Sequence, residues 1–538
     1  WVTFCAVFFL VAVGGMVRVT GAGLGCPDWP TCWGCWLPPS GPDEIPSFTD
    51  ETGNKFYEDK QGNRHPISEF DSSKMWIEYL NRMVGVVVGL MIIATFILSL
   101  RLRKNDSRLF QGSLTALLLV LFQGWLGAVV VRSGLQPGII TLHMVLAMIL
   151  PGLALFYGGL VRTKNMLSVM TQIGAATCFA MLIWVIYGYS LAFAGPSNGF
   201  ISDLSKVFLA GITPDSTAAT FTDGVVIPEY VFVCFQMTFA AITVSLVLGS
   251  VVERIKFSAV MVFALVWLTI VYFPVAHMVW AAGGLFFEMG ALDFAGGTVV
   301  HINAGVSALV ACLILGKRIG YPKEPMPPHS LTLTAVGTGL LWVGWFGFNA
   351  GSALEANGSA ALAMINTFVA TASAGLFWML AERLNGHKGS ALGFCSGIIA
   401  GLVAVTPAAG NSGPFGAIVL GAVASIICFY AVTVLKPKLG YDDSLDAFGI
   451  HGIGGMIGAI GTGIVYSPAL GGPGGDDFAI GSQLVTQLLA TVTTIIWAAI
   501  GTAIAIYIAK AVTGLRVSQE VEYEGLDLGE HGERAYNP

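Results

Sequence analysis

The chain has 538 residues, of which 55% are hydrophobic and only 11% are charged. Because soluble domains carry about a quarter charged residues, this composition excludes an ordinary soluble protein and indicates a polytopic membrane protein. The formal net charge of −6 gives no indication of a nucleic-acid partner.

Apolar runs long enough to cross a bilayer recur along the whole chain. A membrane-spanning helix needs about 20 mostly apolar residues, and the sequence predicts fourteen such helices. They lie near residues 1–17, 76–100, 110–132, 139–161, 170–193, 226–250, 257–282, 297–316, 331–351, 359–382, 389–408, 414–434, 446–466 and 482–510. Because the first residue, Trp1, already lies within an apolar run, we expect the chain to be a fragment at its N-terminus.

Lysine and arginine predict the orientation of these spans. Beyond residue 160, the fourteen-span arrangement places eleven loop lysines and arginines on one side and only Lys206 on the other. Positive residues concentrate in cytoplasmic loops. We therefore expect a multi-pass protein of the cell (inner) membrane with a cytoplasmic C-terminus.

A long polar loop, residues 18–75, separates the first two spans and is predicted to lie outside. It contains Cys26, Cys32 and Cys35. A disulfide can persist in that compartment, but three cysteines leave the pairing open. The other six cysteines lie singly in apolar spans, as small buried hydrophobic residues do.

Four motifs characterise the first 147 residues: GGMVRVTGAGLGCPDWPTC, WIEYLNRMVG, QGWLGAVVVRSGLQP and TLHMVLA. Together they resemble the N-terminal half of the haem A synthase family. The resemblance implies a disulfide between Cys26 and Cys32 and haem-site positions at Glu78 and His143. However, the family's histidine three residues after the glutamate is Asn81 here, and an amide is a poor axial ligand for haem iron.

The second half of the haem A synthase family is missing from this chain. We therefore expect residues 1–147 to be an inactive remnant or a gene-assembly join, without haem, ahead of a second membrane region. A haem A synthase-like enzyme fragment is the alternative for this part of the chain.

The second region carries eight motifs: PGLALFYGGLVRTKN, FQMTFAAITVSL, ERIKFSA, AHMVWAAGG, GALDFAGGTVVHINAG, WFGFNAGSA, DAFGIHGIGGMIG and EGLDLGEHGERAYN. Together they resemble the Amt/Rh family of ammonium transporters. The resemblance implies an all-α fold of eleven membrane helices with a five-plus-five inverted repeat. It also implies a transporter domain at 148–515 and a cytoplasmic regulatory tail at 516–538. The span near 139–161 then serves both regions, because it is the last helix of the first and the first helix of the second.

Ionisable groups inside membrane spans are costly and usually functional, and two histidines in the predicted spans stand out. His301 and His451 are each followed four residues later by glycine, and they occupy the fifth and tenth spans of the transporter region. An inverted repeat places equivalent residues in these two spans. Metal binding is the alternative, but two histidines without nearby carboxylates or thiols make a poor metal site, so we expect no metal. The resemblance implies that the two rings line the pore and share a hydrogen bond.

The resemblance implies roles for four aromatic residues and one serine. Phe235 and Trp280 match an outer vestibule, where ring faces attract a cation. Ser352 matches the hydroxyl that accepts a hydrogen bond from ammonium there. Phe239 and Phe348 match two stacked rings that close the pore beneath the vestibule and exclude hydrated ions.

Asp293 precedes the fifth transporter span and admits two interpretations. The carboxylate could bind the cation directly. Alternatively, as the resemblance implies, nearby backbone NH groups and hydroxyls hold it, with Ala295 and Thr298 as neighbours, and it stabilises the recruitment site. We favour the second interpretation because a bare carboxylate would also attract sodium.

The polar tail matches the C-terminal signature of the family at Gly525, Asp527, His531 and Gly532. In that family the tail packs against the neighbouring subunit of a homotrimer, and a PII-type protein regulates many bacterial members. The resemblance therefore implies a homotrimer and a PII-type partner.

Desolvation of an ammonium ion in an apolar pore is costly, and burial favours the neutral form of a base. The resemblance implies an ammonium transporter rather than an enzyme, and the cost of desolvation leads us to expect that the ion releases its proton at the phenylalanines and crosses as ammonia. The sequence leaves open whether the proton is carried separately. No cofactor is expected. An ammonium sensor is the alternative for the transporter region, but it would show a lost pore residue or an added signalling domain.

Overall fold

The computed structural model describes residues 32–33, 35, 37–39, 41–50, 53–58, 64–102, 148–195 and 198–536. Contacts between Cα atoms divide the chain into two compact units, Trp1–His143 and Met144–Pro538. The predicted spans near 1–17 and 110–132, together with Cys26 and His143, lie outside the described residues.

The described part of the first unit contains a small sheet and one long helix. Strands β1 (Phe48–Thr49), β2 (Lys55–Glu58) and β3 (Arg64–Pro66) form an antiparallel sheet in the order β1-β2-β3. Helix α1, Ser72–Leu102, contains the predicted span 76–100 and includes Glu78. Apolar side chains of the loop and of the start of α1 form a small core, namely Cys32, Trp33, Ile45, Tyr57 and Met75.

The cysteines of this loop are partly described. Cys32 is disulfide-bonded, whereas Cys35 is free. The proposed pairing of Cys32 with Cys26 stays a prediction, as do the haem-site roles of Glu78 and His143.

The second unit is a bundle of eleven helices, α2–α12. They are α2 (Leu150–Leu160), α3 (Thr163–Phe193), α4 (Glu229–Leu248), α5 (Phe257–Glu288), α6 (Gly297–Leu315), α7 (Leu331–Gly351), α8 (Gly358–Leu384), α9 (Ala391–Ala408), α10 (Pro414–Leu439), α11 (Phe448–Val465) and α12 (Ile480–Thr513). Within the described residues, the ten helices from α3 to α12 are long and apolar enough to cross a membrane. The predicted helical, polytopic fold is confirmed, and most predicted boundaries lie within a few residues of the observed ones.

Short elements complete this unit. Helix α5 is interrupted at residues 281–284, directly after Trp280. Strands β4 (Thr217–Ala219) and β5 (Val226–Pro228) pair as an antiparallel hairpin before α4. Two short helices, α13 (Gln519–Glu524) and α14 (Leu526–His531), form the tail. We call the end of the bundle that carries the tail the tail side, and the opposite end the mouth side.

A buried ionic network ties four connections together on the tail side. Glu253 accepts hydrogen bonds from the Arg162 side-chain Nε at 3.0 Å and from Arg318 Nη1 at 2.6 Å. Arg318 Nη2 also donates to Asp442 Oδ1 at 2.7 Å. Glu253 and Asp442 are buried, so arginine side chains replace water as the partners of these two carboxylates.

Replacing Glu253 by glutamine is expected to destabilise the folded protein by roughly 3 kcal/mol, because Arg162 loses the counter-charge of Glu253 and the buried Arg318 keeps only that of Asp442. Burial alone would raise the pKa of the Glu253 carboxyl, but Arg318 and Arg162 outweigh burial and lower that pKa to about 2. The folded pKa is below the ordinary value of 4.5. The carboxylate therefore contributes stability above pH 4.5 that is lost as the pH falls towards 2.

Thermal unfolding in detergent, at pH 7 and between pH 5 and pH 3, measures both effects. Glu533→Gln, at an exposed position of the tail, is the control. Equal melting temperatures for Glu253→Gln and Glu533→Gln at pH 7 would contradict the prediction.

Candidate functional site

A column of rings runs through the core of the second unit. Phe235 and Phe239 are one turn apart on α4 and therefore lie on one helical face, with ring centroids 4.9 Å apart. The Phe239 ring meets Trp280 of α5 edge-on at 5.2 Å and Phe348 of α7 at 4.3 Å. The side chains of Phe235, Phe239 and Phe348 are each at most 3% exposed. Three helices thus bring together four aromatic residues from three distant parts of the sequence.

Ser352 follows α7, one turn after Phe348. Its hydroxyl donates to the Phe348 carbonyl oxygen at 2.9 Å and is buried. Because that bond uses the only hydroxyl proton, the serine oxygen can act towards a ligand only as an acceptor. This is the role that a cationic N–H donor requires.

Asp293 lies in the turn before α6, beneath Trp280. The indole Nε1 of Trp280 donates to the main-chain oxygen of Asp293 at 2.9 Å. The Asp293 carboxylate accepts four backbone hydrogen bonds, from the amides of residues 296 to 299, at 2.5–3.1 Å. It therefore satisfies the free NH groups at the start of α6.

The donors to Asp293 differ in part from the expectation. Hydroxyls were expected among them, but in the described structure all four are backbone amides, and Thr298 contributes through its backbone NH. Ala295 is a neighbour in sequence but not a donor. The physical reason is that a helix start already directs several amides at one point. Burial raises the pKa of the Asp293 carboxyl to about 6, while the amide donors act to lower it.

His301 and His451 lie against each other below the phenylalanines. Their Nδ1 atoms are 3.2 Å apart, and their ring centroids are 5.3 Å apart at an interplanar angle of 20°. Two neutral rings joined in this way share one proton, since one Nδ1 donates and the other accepts. Their Nε2 atoms are then opposite in role, with one a hydrogen-bond donor and the other an acceptor.

The surroundings of His301 are apolar. Trp345 stacks on its ring at 5.4 Å and 17°, and the Phe348 ring is 6.4 Å away. His301 Nε2 is buried and has no hydrogen-bond partner among the described residues. An unsatisfied buried nitrogen is costly, which indicates a position where a small polar molecule makes the missing contact.

Helices α6 and α11 carry the two histidines in the same manner. Each begins with a π-helical turn, Gly297–Ile302 in α6 and Phe448–Gly452 in α11, with the histidine near its end. Such turns are rare and frequently mark functional sites. A Cβ at Gly305 would lie 2.1 Å from the Gly452 backbone nitrogen. The helices therefore cross with their backbones in contact, which places the two rings side by side.

Two residues of this site were not predicted. Trp345, the ring that stacks on His301, lies within the WFGFNAGSA motif but was not singled out. Asp443 precedes His451 by eight residues, as Asp293 precedes His301. It is buried, accepts from the Phe448 amide at 2.7 Å, and has a free Oδ1 among the described residues. Burial raises the pKa of the Asp443 carboxyl to about 6. The repeated Asp-to-His spacing was the signal in the sequence that could have identified it.

The tail residues contact loops of their own chain on the tail side. Asp527 Oδ1 accepts from the Ser168 amide at 2.7 Å, near the start of α3. His531 meets the Phe257 ring edge-on at 5.6 Å. A Cβ at Gly525 would lie 2.6 Å from Lys164 atoms, and Gly532 ends α14 with a φ of 66°. These tail contacts all lie within one chain, and the contact with a neighbouring subunit that the resemblance implies stays a prediction.

Several known proteins are similar to this chain in sequence. A family model described as the Ammonium Transporter Family matches residues 138–536. The ammonium transporter of Aquifex aeolicus is 48% identical over 398 residues, covering 73% of this chain and 91% of its own length. The ammonium transporter of Bacillus subtilis is 45% identical over 388 residues, covering 72% and 94%.

Solved structures agree with these matches. The crystal structure of Candida albicans Mep2 has a TM-score of 0.65 and 34% identity, covering 72% of this chain and 86% of that one. A structure described as a sensor Amt protein has a TM-score of 0.66 and 28% identity, covering 73% and 97%. Both curated relatives are named ammonium transporters. The chain therefore belongs to the ammonium transporter family and is a membrane transporter of ammonium, not an enzyme.

Proposed function

We propose that ammonium binds in a vestibule formed by Phe235, Trp280 and Ser352. The ion then loses its proton at a gate formed by Phe239 and Phe348, and it crosses as ammonia past His301 and His451. The observation that carries this proposal is the continuity of the column. Each ring contacts the next, from Trp280 through Phe239 and Phe348 to His301 and His451.

The vestibule attracts a cation without offering it a bare carboxylate. Ring faces of Trp280 and Phe235 contribute about 0.5–2 kcal/mol to cation binding, and the Ser352 oxygen accepts from an ammonium N–H. Both oxygens of Asp293 are occupied by amides. This supports an indirect role, in which Asp293 anchors the turn and holds Trp280 in place.

The gate explains why the ion must lose its proton. The centroids of Phe239 and Phe348 are 4.3 Å apart, so a hydrated ion does not fit between them unless the rings move. A bare ion would enter an apolar environment without its water, at a cost that ammonia avoids. Below the gate, the free Nε2 of His301 is the group that meets the neutral molecule.

The proton is proposed to travel separately through His301 and His451. Histidine is the side chain best suited to exchange protons near neutral pH, and the Nδ1–Nδ1 hydrogen bond connects the two rings directly. Transport by this route moves net charge, whereas transport of ammonia alone does not.

Orientation, organisation and assembly follow from the sequence. We propose that the tail side is cytoplasmic in the inner membrane, because the loops there are rich in lysine and arginine. The transporter domain spans 148–515, the regulatory tail 516–538, and the preceding residues 1–147 form a haem A synthase-like region without haem. The working unit is proposed to be a homotrimer, with a PII-type protein as partner of the tail side.

Replacement of Trp280 by leucine tests the vestibule. Loss of the cation–π contact is expected to raise the KM for ammonium about tenfold while the maximal rate falls less. Currents on solid-supported membranes after ammonium pulses give KM, and a dye inside vesicles reports the pH change. A current shows that net charge crosses with the ammonium, whereas an internal pH rise without current identifies ammonia alone.

Trp378→Leu is the control, because Trp378 packs on Phe429 of α10 and not on the column. An unchanged KM in Trp280→Leu, with the trimer intact, would contradict the proposed vestibule.

A further inference from the structure

His277 is a fully buried histidine that the proposed pathway does not use. It lies in α5, three residues before Trp280. Its Nδ1 is 2.8 Å from the main-chain oxygen of Ala192, at the end of α3. Its Nε2 is 2.9 Å from the main-chain oxygen of Asn198, in the mouth-side loop that follows α3.

Both partners of the ring are carbonyl oxygens, which accept hydrogen bonds and cannot donate them. A neutral imidazole has one N–H, so one of its nitrogens would direct a lone pair at an oxygen. Only the imidazolium donates to both oxygens. Two further features favour the cation: His277 lies in the last helical turn before the interruption of α5, where the helix dipole attracts positive charge, and buried charges in membrane proteins commonly pair with backbone carbonyls.

Within the described part of the chain, no acidic side chain supplies the counter-charge. The charged residues on the elements around the ring have other partners. Glu288 accepts from the Gly283 amide and Asp293 from the start of α6, Asp203 accepts from Ser205, and Lys206 pairs with Glu229. Among the described residues, none of these side chains has a hydrogen bond or ion pair with His277. The charge is therefore balanced by the two carbonyl dipoles and the helix end.

These two bonds secure the turn that follows Trp280. A Cβ at Gly284 would lie 2.1 Å from the main-chain oxygen of His277, so the turn folds back directly onto this residue. The Leu285 amide then donates to the Gly199 oxygen at 2.8 Å. The mouth-side loop is thus held to α5 on both sides of residues 281–284.

We infer that His277 is a positioning residue that, as an imidazolium, holds the mouth-side loop against α5 and thereby sets the orientation of Trp280. This inference rests on the proposed role of Trp280 in the vestibule. Deprotonation removes one of the two hydrogen bonds and leaves a lone pair facing a carbonyl oxygen. The vestibule then loosens, and its affinity for ammonium falls.

The first test is a solid-state NMR spectrum of the unmodified full chain in lipid vesicles. His277 is the only one of the eight histidines preceded by alanine. Labelling with 13C-alanine and 15N-histidine therefore selects its signals without a mutation. Near pH 7 both ring nitrogens are expected at the chemical shift of protonated nitrogen. One protonated and one bare nitrogen would overturn the inference, whatever the transport assays show.

The second test is the pH profile of KM, calculated on the concentration of ammonium ion. His277→Gln, which can donate to one oxygen but carries no charge, is expected to raise KM roughly fivefold, the effect of losing one hydrogen bond, with a smaller change in maximal rate. In the unmodified protein KM should rise over the pH range in which NMR shows deprotonation. In His277→Gln, KM should not change over that pH range.

His387→Gln, at an exposed position after α8, is the control. A His277→Gln protein with the KM and pH profile of the unmodified protein would overturn the inference. If Trp280→Leu leaves KM unchanged, the vestibule proposal fails instead, and the NMR spectrum still decides the protonation of His277. If His277→Gln does not assemble, the spectrum of the unmodified chain is the deciding result.

Discussion

The ammonium-evoked current is expected to disappear, or to lose its selectivity for ammonium over sodium and potassium, when His301 and His451 are both replaced by aspartate. The two Nδ1 atoms are 3.2 Å apart, so two carboxylates at these positions would place like charges in contact. Buried like charges are strongly unfavourable unless water or cations enter. The pore should then hydrate and either collapse or admit metal cations. Solid-supported membranes with ammonium, sodium and potassium pulses distinguish these results.

His387→Asp, at an exposed position, is the control for the added negative charge. Unchanged ammonium currents and unchanged selectivity in the double variant would contradict the pathway. If the unmodified protein, assembled as a trimer, produces neither a current nor a pH change, the sensor alternative would be favoured over the conducting pore.

Replacement of Gly305 by alanine is expected to abolish transport and to destabilise the protein by about 1–3 kcal/mol, as overpacking does. The new methyl group would lie 2.1 Å from the backbone nitrogen of Gly452 and 2.3 Å from its Cα. Backbone atoms cannot rotate away as a side chain can. Helices α6 and α11 must therefore separate, and the hydrogen bond between His301 and His451 should break.

Gly339→Ala is the matched control, because Gly339 lies within α7 and a Cβ there would meet no atom within 4 Å. Uptake by vesicles and thermal unfolding in detergent measure the two effects. Full uptake by Gly305→Ala would show that the close crossing of the helices is dispensable for the pore.

The helices of the bundle were predictable because each is a long apolar run bounded by polar or glycine-rich segments. The span predicted at 331–351 coincides with α7, and the span predicted at 297–316 ends one residue after α6. The small sheet at 48–66 was not predicted, since its strands are two to four residues long. Strands this short have no periodicity that distinguishes them from a polar loop.

The histidine pair was predictable for a different reason. His301 and His451 are 150 residues apart in sequence, and only the repeated arrangement of histidine and glycine connects them. The stacking of Trp345, the π-helical turns and the two carbonyl partners of His277 were not predictable. They depend on how closely the helices cross, and a linear pattern does not contain that distance. The resemblance of residues 1–147 to haem A synthase stays a prediction.

The hydrogen bond between the two Nδ1 atoms also limits how often a proton could follow this route. Suppose His301 Nδ1 carries the shared proton. A proton arriving at His301 Nε2 then moves the shared proton to His451 Nδ1, and His451 releases its own Nε2 proton on the far side. Afterwards His301 Nε2 is already protonated and cannot accept another proton from the same direction. Ring rotation is a difficult way to reset the pair, because Trp345 stacks on His301. The relay therefore passes one proton per stroke. Returning both Nε2 protons the way they came would cancel that stroke, so a continuous proton current requires that the His301 Nε2 proton reach His451 Nε2 by a route other than the Nδ1–Nδ1 hydrogen bond.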